Sequence, residues 1–294
     1  MVHLVRGRAE LRAVLGEDRP GFVPTMGALH RGHAALIERA AAENRICLVS
    51  IFVNPTQFEN AADLARYPRR FDDDLEVAER AGASLVWAPS PEEIYPPGFA
   101  TTVEVNGLGD RWEGAARPGH FRGVATVVAR LLGVVRPARA YFGEKDWQQL
   151  EIVRRLHADL ALPGEIVGCP TVREADGLAL ASRNARLSPA GRAGAAVVPR
   201  TLARMAGLAA TGERFADRLV AAGQAEIAKA GVPGLRVDYL AVVDGTTLEP
   251  MPVAGASARA MIAVTIEGIR LLDNTALPMS ERGLAEFDEG RHDD

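Results

Sequence analysis

The alternation of strand-like and helical segments predicts an α/β protein made of two domains. Up to about residue 171, short apolar and β-branched runs alternate with amphipathic helical stretches, as in the βαβ units of a parallel sheet. An alanine-rich helical region and three strand-like runs follow, which is the order of a small α+β domain. We therefore predict a doubly wound, Rossmann-like domain at residues 1–171, a smaller α+β lid domain at residues 172–280 and a polar tail at residues 281–294.

The first half of the predicted sheet contains three strands with two helices between them. Gly21–Pro24 is a short apolar run that leads directly into a Thr-Met-Gly turn. The run Arg45–Val53 is almost continuously apolar and β-branched, which indicates a strand covered on both faces. The acid-rich stretch Phe71–Ala81 has the period of an amphipathic helix. A helix at Ala34–Ala42 and a strand at Ser84–Ala88 complete this half.

The same alternation continues to residue 168. A helix is predicted over Arg122–Val135, and a proline separates it from a strand at Arg139–Phe142. The next helix, Trp147–Leu160, is stopped by a Pro-Gly pair, and Glu165–Gly168 is predicted to be the last strand of the sheet.

The second domain is predicted from helices followed by strands. Residues 189–231 are helical in pattern, with a break near Thr211 and Gly212. Beyond Pro278 the chain is polar and acidic, which is typical of a loose tail. The three predicted strands are Leu235–Val243, Arg259–Ile266 and Ile269–Asn274.

The composition narrows the classes of function. The 294 residues carry a net charge of −4 with an isoelectric point of about 5.9, so no basic field is expected to attract nucleic acid or anionic lipid. Cys47 and Cys169 are the only cysteines, which favours a reducing compartment over a disulfide framework. No run approaches the roughly eighteen apolar residues of a membrane span, and residues 1–15 do not have the pattern of a secretory signal. We expect a cytoplasmic protein without nucleic-acid or membrane partners.

The segment Pro24–His33, with the sequence PTMGALHRGH, carries the strongest functional signal. It lies where a buried strand ends and a helix begins, at the sheet edge where open α/β folds bind ligands. Gly27 permits a sharp turn, and the exposed N–H groups that open the following helix predict an anion site. His30 and His33 are three residues apart, so on a helix they share one face. Two imidazoles there can donate hydrogen bonds to phosphate oxygens.

Two other interpretations of the histidine pair stay open at this point. A zinc site needs at least a third ligand, and only the distant His120 offers one. A pair of solvated surface histidines is the default for such a spacing, but the strand, glycine turn and helix around it argue against that.

Three further segments follow predicted strands or join the two domains. Asn54 and Gln57 close the second strand and offer neutral donors and acceptors for hydroxyls or a carboxylate, although a plain polar loop is an equal alternative. Lys145 and Asp146 open a helix, where an ammonium suits a polyphosphate; a capping acid beside a surface lysine is the alternative. Residues 172–184 form a loop whose hydroxyl and guanidinium can close over a triphosphate.

The His-x-Gly-His element resembles the signature shared by class I aminoacyl-tRNA synthetases and nucleotidylyltransferases. The longer PTMGALHRGH segment, together with NPTQF at 54–58, GEKDWQQL at 143–150 and the loop 172–184, resembles the pantothenate synthetase family in the same order. The likeness is close over residues 20–190 and looser beyond them. At position 181 this chain has alanine where the family usually has serine, so one hydroxyl contact to phosphate is expected to be lost or replaced.

The resemblance implies a ligase that binds ATP and Mg²⁺, pantoate and β-alanine, and that acts as a homodimer without a tightly bound organic cofactor. It implies that Gln57, Gln149 and Asn54 contact pantoate, that Gln57 also contacts β-alanine, and that Mg²⁺ is held mainly by ATP with Asp146 as a possible ligand. The implied catalytic residues are His30, His33, Lys145, Ser182 and Arg183. The implied ATP-binding residues are Met26, Gly27, Ala28, Leu29, His30, Arg31, Gly32, His33, Gly143, Glu144, Lys145, Asp146, Val172, Leu180, Ala181, Ser182 and Arg183.

The reaction implied by the family is an adenylation followed by amide formation. Its alternatives are a nucleotidylyltransferase of the same superfamily that stops at nucleotidyl transfer, a tRNA-charging enzyme and a nucleotide-binding protein without catalysis. The acidic charge and the short second domain argue against tRNA binding.

Overall fold

The computed structural model describes residues 2–58 and 60–278. They divide into two compact units, of which the first ends at Val172 and the second begins at Arg173. The polar tail predicted after Pro278 lies outside the described residues.

The first unit is an open α/β sheet with helices on both faces. Its elements are β1 (His3–Val5), α1 (Arg8–Leu15), β2 (Gly21–Thr25), α2 (Arg31–Glu43), β3 (Cys47–Ile51), a 3₁₀ turn at Pro55–Gln57, α3 (Ala61–Arg66), α4 (Phe71–Arg80) and β4 (Leu85–Trp87). They continue with α5 (Pro91–Ile94), α6 (Glu113–Ala116), α7 (His120–Val135), β5 (Arg139–Gly143), a 3₁₀ turn at Glu144–Asp146, α8 (Trp147–Asp159) and β6 (Glu165–Cys169).

Six parallel strands form the sheet in the order β1-β4-β3-β2-β5-β6. Alternate strand residues face opposite sides: Phe22 and Leu48 belong to the core cluster on one face, and Val23 and Val49 to the cluster on the other. The central strands are therefore buried on both faces, as the continuous apolar runs predicted. The doubly wound, Rossmann-like fold is confirmed.

The first strand and helix were not predicted. Strand β1 has only three residues and takes the outer edge of the sheet beside β4. A run this short has no detectable period, so its place depends on pairing with Leu85–Trp87, far along the chain.

The second unit packs helices against one antiparallel sheet. Its elements are a 3₁₀ turn at Ser182–Arg186, α9 (Pro189–Ala195), α10 (Val197–Ala210), α11 (Ala216–Ala230), β7 (Arg236–Asp244), β8 (Ala258–Ile266) and β9 (Ile269–Ala276). The strand order is β7-β8-β9, and Leu202 and Met205 of α10 share one core with Ile262 and Val264 of β8. The helical break predicted near residue 211 is the loop between α10 and α11. The smaller α+β architecture is confirmed.

Both cysteines are buried, and they form no disulfide. Burial raises the pKa of Cys47 to about 12, so its thiol stays protonated. Within the described parts of the chain, no helix has both the length and the apolarity to cross a bilayer.

Candidate active site

The sheet of the first unit has one topological switch point. Strands β2 and β5 are neighbours in the sheet. The chain passes from β2 to β3 on one side and from β5 to β6 on the other, so the two connections diverge between β2 and β5. Ligands of open α/β folds bind in the crevice at the carboxyl ends of such strands. The histidine segment follows β2, and the Gly143–Asp146 segment begins at the last residue of β5. The two segments singled out in the sequence therefore lie at neighbouring strand ends.

The two histidines cap the helix that follows β2. His30 has extended backbone angles and is the N-cap of α2, and its Nδ1 accepts a hydrogen bond from the N–H of Gly32 at 3.1 Å. In return, Nδ1 of His33 accepts from the N–H of His30 at 3.3 Å, which completes a capping box made of imidazoles. The helix thus begins at Arg31, not at Ala34 as predicted, and His30 precedes it instead of lying on its face.

This arrangement determines which ring nitrogen carries the proton. Because both Nδ1 atoms accept hydrogen bonds from backbone N–H groups, the hydrogen of each neutral ring resides on Nε2. The ring centroids lie 4.1 Å apart. Burial, with a contribution from its neighbour, lowers the pKa of His33 to about 3, and burial and the charge of Lys145 lower the pKa of His30. Both rings are neutral Nε2–H donors at neutral pH.

The turn before His30 is held by a carboxylate that was not among the predicted site residues. Asp74 of α4 accepts from the N–H of Leu29 at 2.7 Å and of Ala28 at 3.0 Å, and it is only 3% exposed. Gly27 lies against the same group: a Cβ there would be 2.7 Å from Asp74 Oδ2. Gly27 and Ala28 both have positive φ angles, which the two hydrogen bonds help to maintain.

The backbone N–H groups at the start of α2 are already hydrogen-bonded within the chain, so they do not form the anion site that the sequence predicted. The N–H groups of Ala28, Leu29, His30 and Gly32 all donate within the chain, whereas the sequence suggested exposed amides at this helix start. The donors that this turn can offer a phosphate are therefore chiefly imidazole Nε2–H groups.

A signal for Asp74 exists in the sequence. It lies four residues before the buried Ala78, on the apolar stripe of α4, whereas Asp72 and Asp73 are exposed. A charged residue on an apolar stripe indicates a buried partner, which here is the backbone of the turn.

Asn54 is buried in a hydrogen-bond network that orients Gln57. Its Nδ2 donates to Gln57 Oε1 at 2.9 Å and to the Gly123 carbonyl at 3.2 Å, while its Oδ1 accepts from the hydroxyls of Thr56 and Tyr95 at 2.9 and 2.8 Å. Only 1% of Asn54 is exposed. The sequence suggested a substrate contact for Asn54, but its donors and acceptors are used within the chain. Because Gln57 Oε1 accepts from Asn54, the amide of Gln57 presents its NH₂ group as donor.

The backbone of the same turn is held by α7. His120 Nδ1 lies 2.8 Å from the Gln57 carbonyl, so this nitrogen carries the proton and donates, and Nε2 accepts from Arg117 Nη1 at 3.2 Å. Burial, with the charge of Arg117, lowers the pKa of His120 to about 4. At Gly123 a Cβ would be 2.3 Å from the Thr56 carbonyl oxygen, so only glycine permits this approach of α7.

The third candidate donor of the first unit is the ammonium of Lys145. It lies in the 3₁₀ turn after β5, with Nζ 3.3 Å from Asp146 Oδ1. It is close enough to His30 for its charge to lower the pKa of that imidazole. Gln149, on the first turn of α8, is partly exposed, whereas Gln148 is buried.

The remaining predicted site residues lie at the end of the first unit and near the start of the second. Val172 ends the first unit, and Leu180 and Ala181 lead to the 3₁₀ turn Ser182–Arg186. Ser182 and Arg183 are both exposed. Among residues 2–58 and 60–278, the His, Cys, Asp and Glu side chains form no group of three or more that could hold a metal ion.

Known proteins resemble this chain in both sequence and fold. A family model described as pantoate-beta-alanine ligase matches residues 3–276. The pantothenate synthetase of Thermus thermophilus is 54% identical over 267 residues, which are 90% of this chain and 96% of the relative. That of Rhizorhabdus wittichii is 51% identical over 281 residues, which are 94% and 99% of the two chains.

Solved structures agree with this likeness. A crystal structure of the pantothenate synthetase from Thermus thermophilus gives a TM-score of 0.90 at 51% identity, over 94% of this chain and 99% of that chain. A pantoate-beta-alanine ligase from Francisella tularensis, complexed with "Beta-gamma ATP" and β-alanine, gives a TM-score of 0.77 at 30% identity, over 95% and 99% of the chains.

Proposed function

Because this chain belongs to the pantoate–β-alanine ligase family, we propose that it condenses pantoate with β-alanine and converts ATP to AMP and pyrophosphate. The product is pantothenate, and the intermediate is pantoyl adenylate. The observation that carries the proposal within the structure is the reciprocal cap between His30 and His33, which holds two neutral imidazoles with Nε2–H groups at the switch point of the sheet.

The first step activates a carboxylate that is otherwise a poor electrophile. An oxygen of pantoate attacks the α-phosphorus of ATP in line, the bond from that phosphorus to the bridging oxygen breaks, and pyrophosphate leaves with the electron pair. The protein supplies no covalent nucleophile; it aligns the reactants and stabilises charge on the phosphates. We assign the Nε2–H groups of His30 and His33 and the ammonium of Lys145 to this task, with His33 donating to the departing oxygen.

The second unit supplies the remaining phosphate contacts in this proposal. Ser182 and Arg183 are the first two residues of the 3₁₀ turn Ser182–Arg186 near the start of this unit, and neither is buried. Their hydroxyl and guanidinium suit the β- and γ-phosphates when the loop closes over ATP. The other ATP contacts are assigned to the backbone and side chains of residues 26–33, 143–146, 172 and 180–181.

Pantoate is assigned to the two glutamines that follow β3 and β5. Gln57 presents its NH₂ group because Asn54 occupies its oxygen, and this donor suits a carboxylate or hydroxyl. Gln149 is assigned to contact pantoate from the start of α8. Asn54 then acts by holding Gln57, not by touching the substrate.

The second step forms the amide. The amine of β-alanine, near Gln57, attacks the acyl carbon of the adenylate, loses a proton and expels AMP. We assign no side chain as the base. Mg²⁺ enters as part of the MgATP substrate, and Asp146, with 49% of its side chain exposed, is the acid assigned beside it.

Product analysis tests the proposal directly. Incubation with MgATP, pantoate and β-alanine should give AMP and pantothenate only when both acids are present, and pantoate alone should support exchange of labelled pyrophosphate into ATP. Pyrophosphate release without AMP would instead indicate a nucleotidylyltransferase, and ATP binding without exchange would indicate a non-catalytic protein. We also propose that the protein is a cytoplasmic homodimer. Light scattering on the purified protein tests the oligomeric state.

A further inference from the structure

The segment that carries Ser182 and Arg183 is anchored at its beginning by an ion pair. Arg173 donates to both carboxylate oxygens of Asp273, at 2.7 and 3.1 Å, and its Nη1 also donates to the Gly177 carbonyl at 2.9 Å. The Asp273 side chain is 1% exposed. A β-bridge between Arg173 and Ala179 closes the same segment into a small hairpin. Residues 173–179 are thereby attached to strand β9.

A second arginine holds the hairpin to α9. Arg192 donates to Glu174 Oε2 at 2.8 Å and to the two oxygens of Asp176 at 2.5 and 3.0 Å. Its hydrogen bonds are the main reason that the pKa values of Glu174 and Asp176 lie below their usual ranges. Both carboxylates are therefore ionised at neutral pH. Because the Arg192 guanidinium binds both Glu174 and Asp176, it restricts the motion of the hairpin more than a single surface ion pair would.

The connection continues to the residue next to Arg183. Asn184 Nδ2 donates to the other oxygen of Glu174 at 2.8 Å and to the Ala179 carbonyl at 3.0 Å. Asn184 is 8% exposed, whereas its neighbour Arg183 is exposed. Glu174 thus joins Arg192 on one side to Asn184 on the other, and the buried Asn184 fixes the turn that carries Arg183.

We propose that Arg192 is a positioning residue for ATP, which acts through Glu174 and Asn184 to hold the Ser182–Arg183 turn in the conformation that takes the phosphates. This inference rests on the proposed function for the phosphate role of that turn. Arg192 itself need not touch ATP. Its effect is to reduce the number of conformations that the turn must give up when ATP binds.

The first test measures the turn itself and does not depend on catalysis. Arg183 and Arg186 are trypsin sites within the turn, and cleavage there requires local opening. In Arg192→Gln we expect trypsin to cut after Arg183 and Arg186 roughly tenfold faster than in the unchanged protein, as followed by mass spectrometry. The control is Arg200→Gln, which removes the ion pair between the exposed Arg200 of the neighbouring helix α10 and the partly exposed Glu226, and it should leave this rate unchanged.

The second test separates positioning from a general loss of structure. In Arg192→Gln we expect the KM for ATP to rise roughly tenfold while kcat and the KM for pantoate change less than about threefold. Glu174→Gln should have the same effect, and the double variant should be no worse than either single one, because both interrupt one connection. A decrease of more than about 10 °C in the melting temperature of Arg192→Gln would indicate a general loss of structure. In that case the kinetic test uses Glu174→Gln alone.

The outcomes are distinguishable. Unchanged cleavage at Arg183 and Arg186 in Arg192→Gln and Glu174→Gln would overturn the positioning role, whatever the enzyme catalyses. Faster cleavage with an unchanged KM for ATP, in a protein that does form AMP from both acids, would overturn the link to ATP. Absence of that activity in the unchanged protein would overturn the proposed function instead, while the cleavage result would still decide whether Arg192 holds the turn.

Discussion

The N–H of His30 donates to Nδ1 of His33 across 3.3 Å, while Nδ1 of His30 accepts a hydrogen bond from the first turn of the helix that contains His33. Each imidazole therefore uses Nδ1 to build the start of α2 and carries its N–H donor at Nε2, the atom to which we assign the phosphate contact. A capping interaction normally requires Ser, Thr, Asp or Asn. Histidine combines the acceptor of a cap with an N–H donor on the far side of the ring.

This double role predicts different results for two replacements of His33. Asparagine can reproduce the Nδ1 acceptor but not the Nε2 donor, so His33→Asn should retain the stability of the protein within about 1 kcal/mol. It should lower pantoate-dependent exchange of pyrophosphate into ATP by at least ~100-fold, the scale for loss of one such donor. Glutamine reaches the Nε2 position, so His33→Gln should keep more activity and lose more stability.

His33→Ala removes both functions and serves as the reference for the pair. Exchange rates and urea unfolding of the three variants supply the comparison. Near-normal exchange in His33→Asn would show that the Nε2 donor is not used.

Asp74 should matter as much to activity as to stability. Replacing it by alanine leaves the N–H groups of Ala28 and Leu29 without their acceptor, which should cost about 1–3 kcal/mol of unfolding free energy. Because these groups hold the turn before His30, kcat/KM for adenylation should fall by roughly 10- to 100-fold.

The matched control for Asp74 lies two residues earlier on the same helix. Asp72 is exposed, and Asp72→Ala should change stability by less than about 0.5 kcal/mol. Chemical denaturation and steady-state kinetics of the two variants test the difference. Equal effects from Asp72 and Asp74 would mean that the general charge of α4 matters and the contact with the turn does not.

Most of the fold could be predicted because the longer buried strands show an apolar run and the longer helices show their own period, whereas short elements such as the three-residue strand β1 show neither. The strand at Cys47–Ile51 and the helix at Phe71–Arg80 are examples. Ends of elements were less accurate: α2 starts three residues early because side chains of His30 and His33 satisfy N–H groups at its start. A cap made of histidines does not follow the usual residue preferences.

The candidate site was only partly predictable because several of its contacts join residues far apart in sequence. Asp74 binds the backbone of Ala28 and Leu29 from a helix more than forty residues further along the chain, and the period of that helix says nothing about its partner. Asn54 illustrates a second limit. A polar side chain after a strand can face a ligand or be buried in a network, and only the positions of Tyr95 and Gly123 distinguish the two.

Gly123 provides a test of how α7 holds the turn at Pro55–Gln57, to which we assign pantoate binding. In Gly123→Ala the new Cβ would be 2.3 Å from the Thr56 carbonyl oxygen, so α7 and the turn at Pro55–Gln57 must separate. We expect a loss of about 1–3 kcal/mol in stability, the usual cost of overpacking. The KM for pantoate should rise about tenfold, because Gln57 moves with its turn.

The same helix offers a control of identical chemistry. At Gly133 a Cβ would meet nothing within 4 Å, so Gly133→Ala should raise helix stability by about 0.5–1 kcal/mol and leave the KM for pantoate unchanged. Melting temperatures and pantoate titrations of both variants decide the point. A Gly123→Ala protein as active and stable as Gly133→Ala would exclude close packing as the reason for glycine at 123.

The pH dependence of stability should report the buried neutral histidines. Folding lowers the pKa of His33 to about 3 and of His120 to about 4, from about 6.5 in the unfolded chain. Below about pH 6.5 the unfolded state therefore binds protons that the folded state does not, and stability falls as the pH decreases toward these values. Each histidine contributes up to about 1.4 kcal/mol per pH unit over that range. Urea unfolding at about pH 7 and about pH 5 measures the decrease.

Replacing His120 should flatten this dependence. In His120→Gln the difference in unfolding free energy between about pH 7 and about pH 5 should shrink by up to about 2 kcal/mol, because one proton fewer is bound on unfolding. A His120→Gln protein that loses stability with acid as steeply as the unchanged protein would contradict a neutral His120. His120 would then carry its proton while in contact with Arg117, against the direction in which both burial and that guanidinium act.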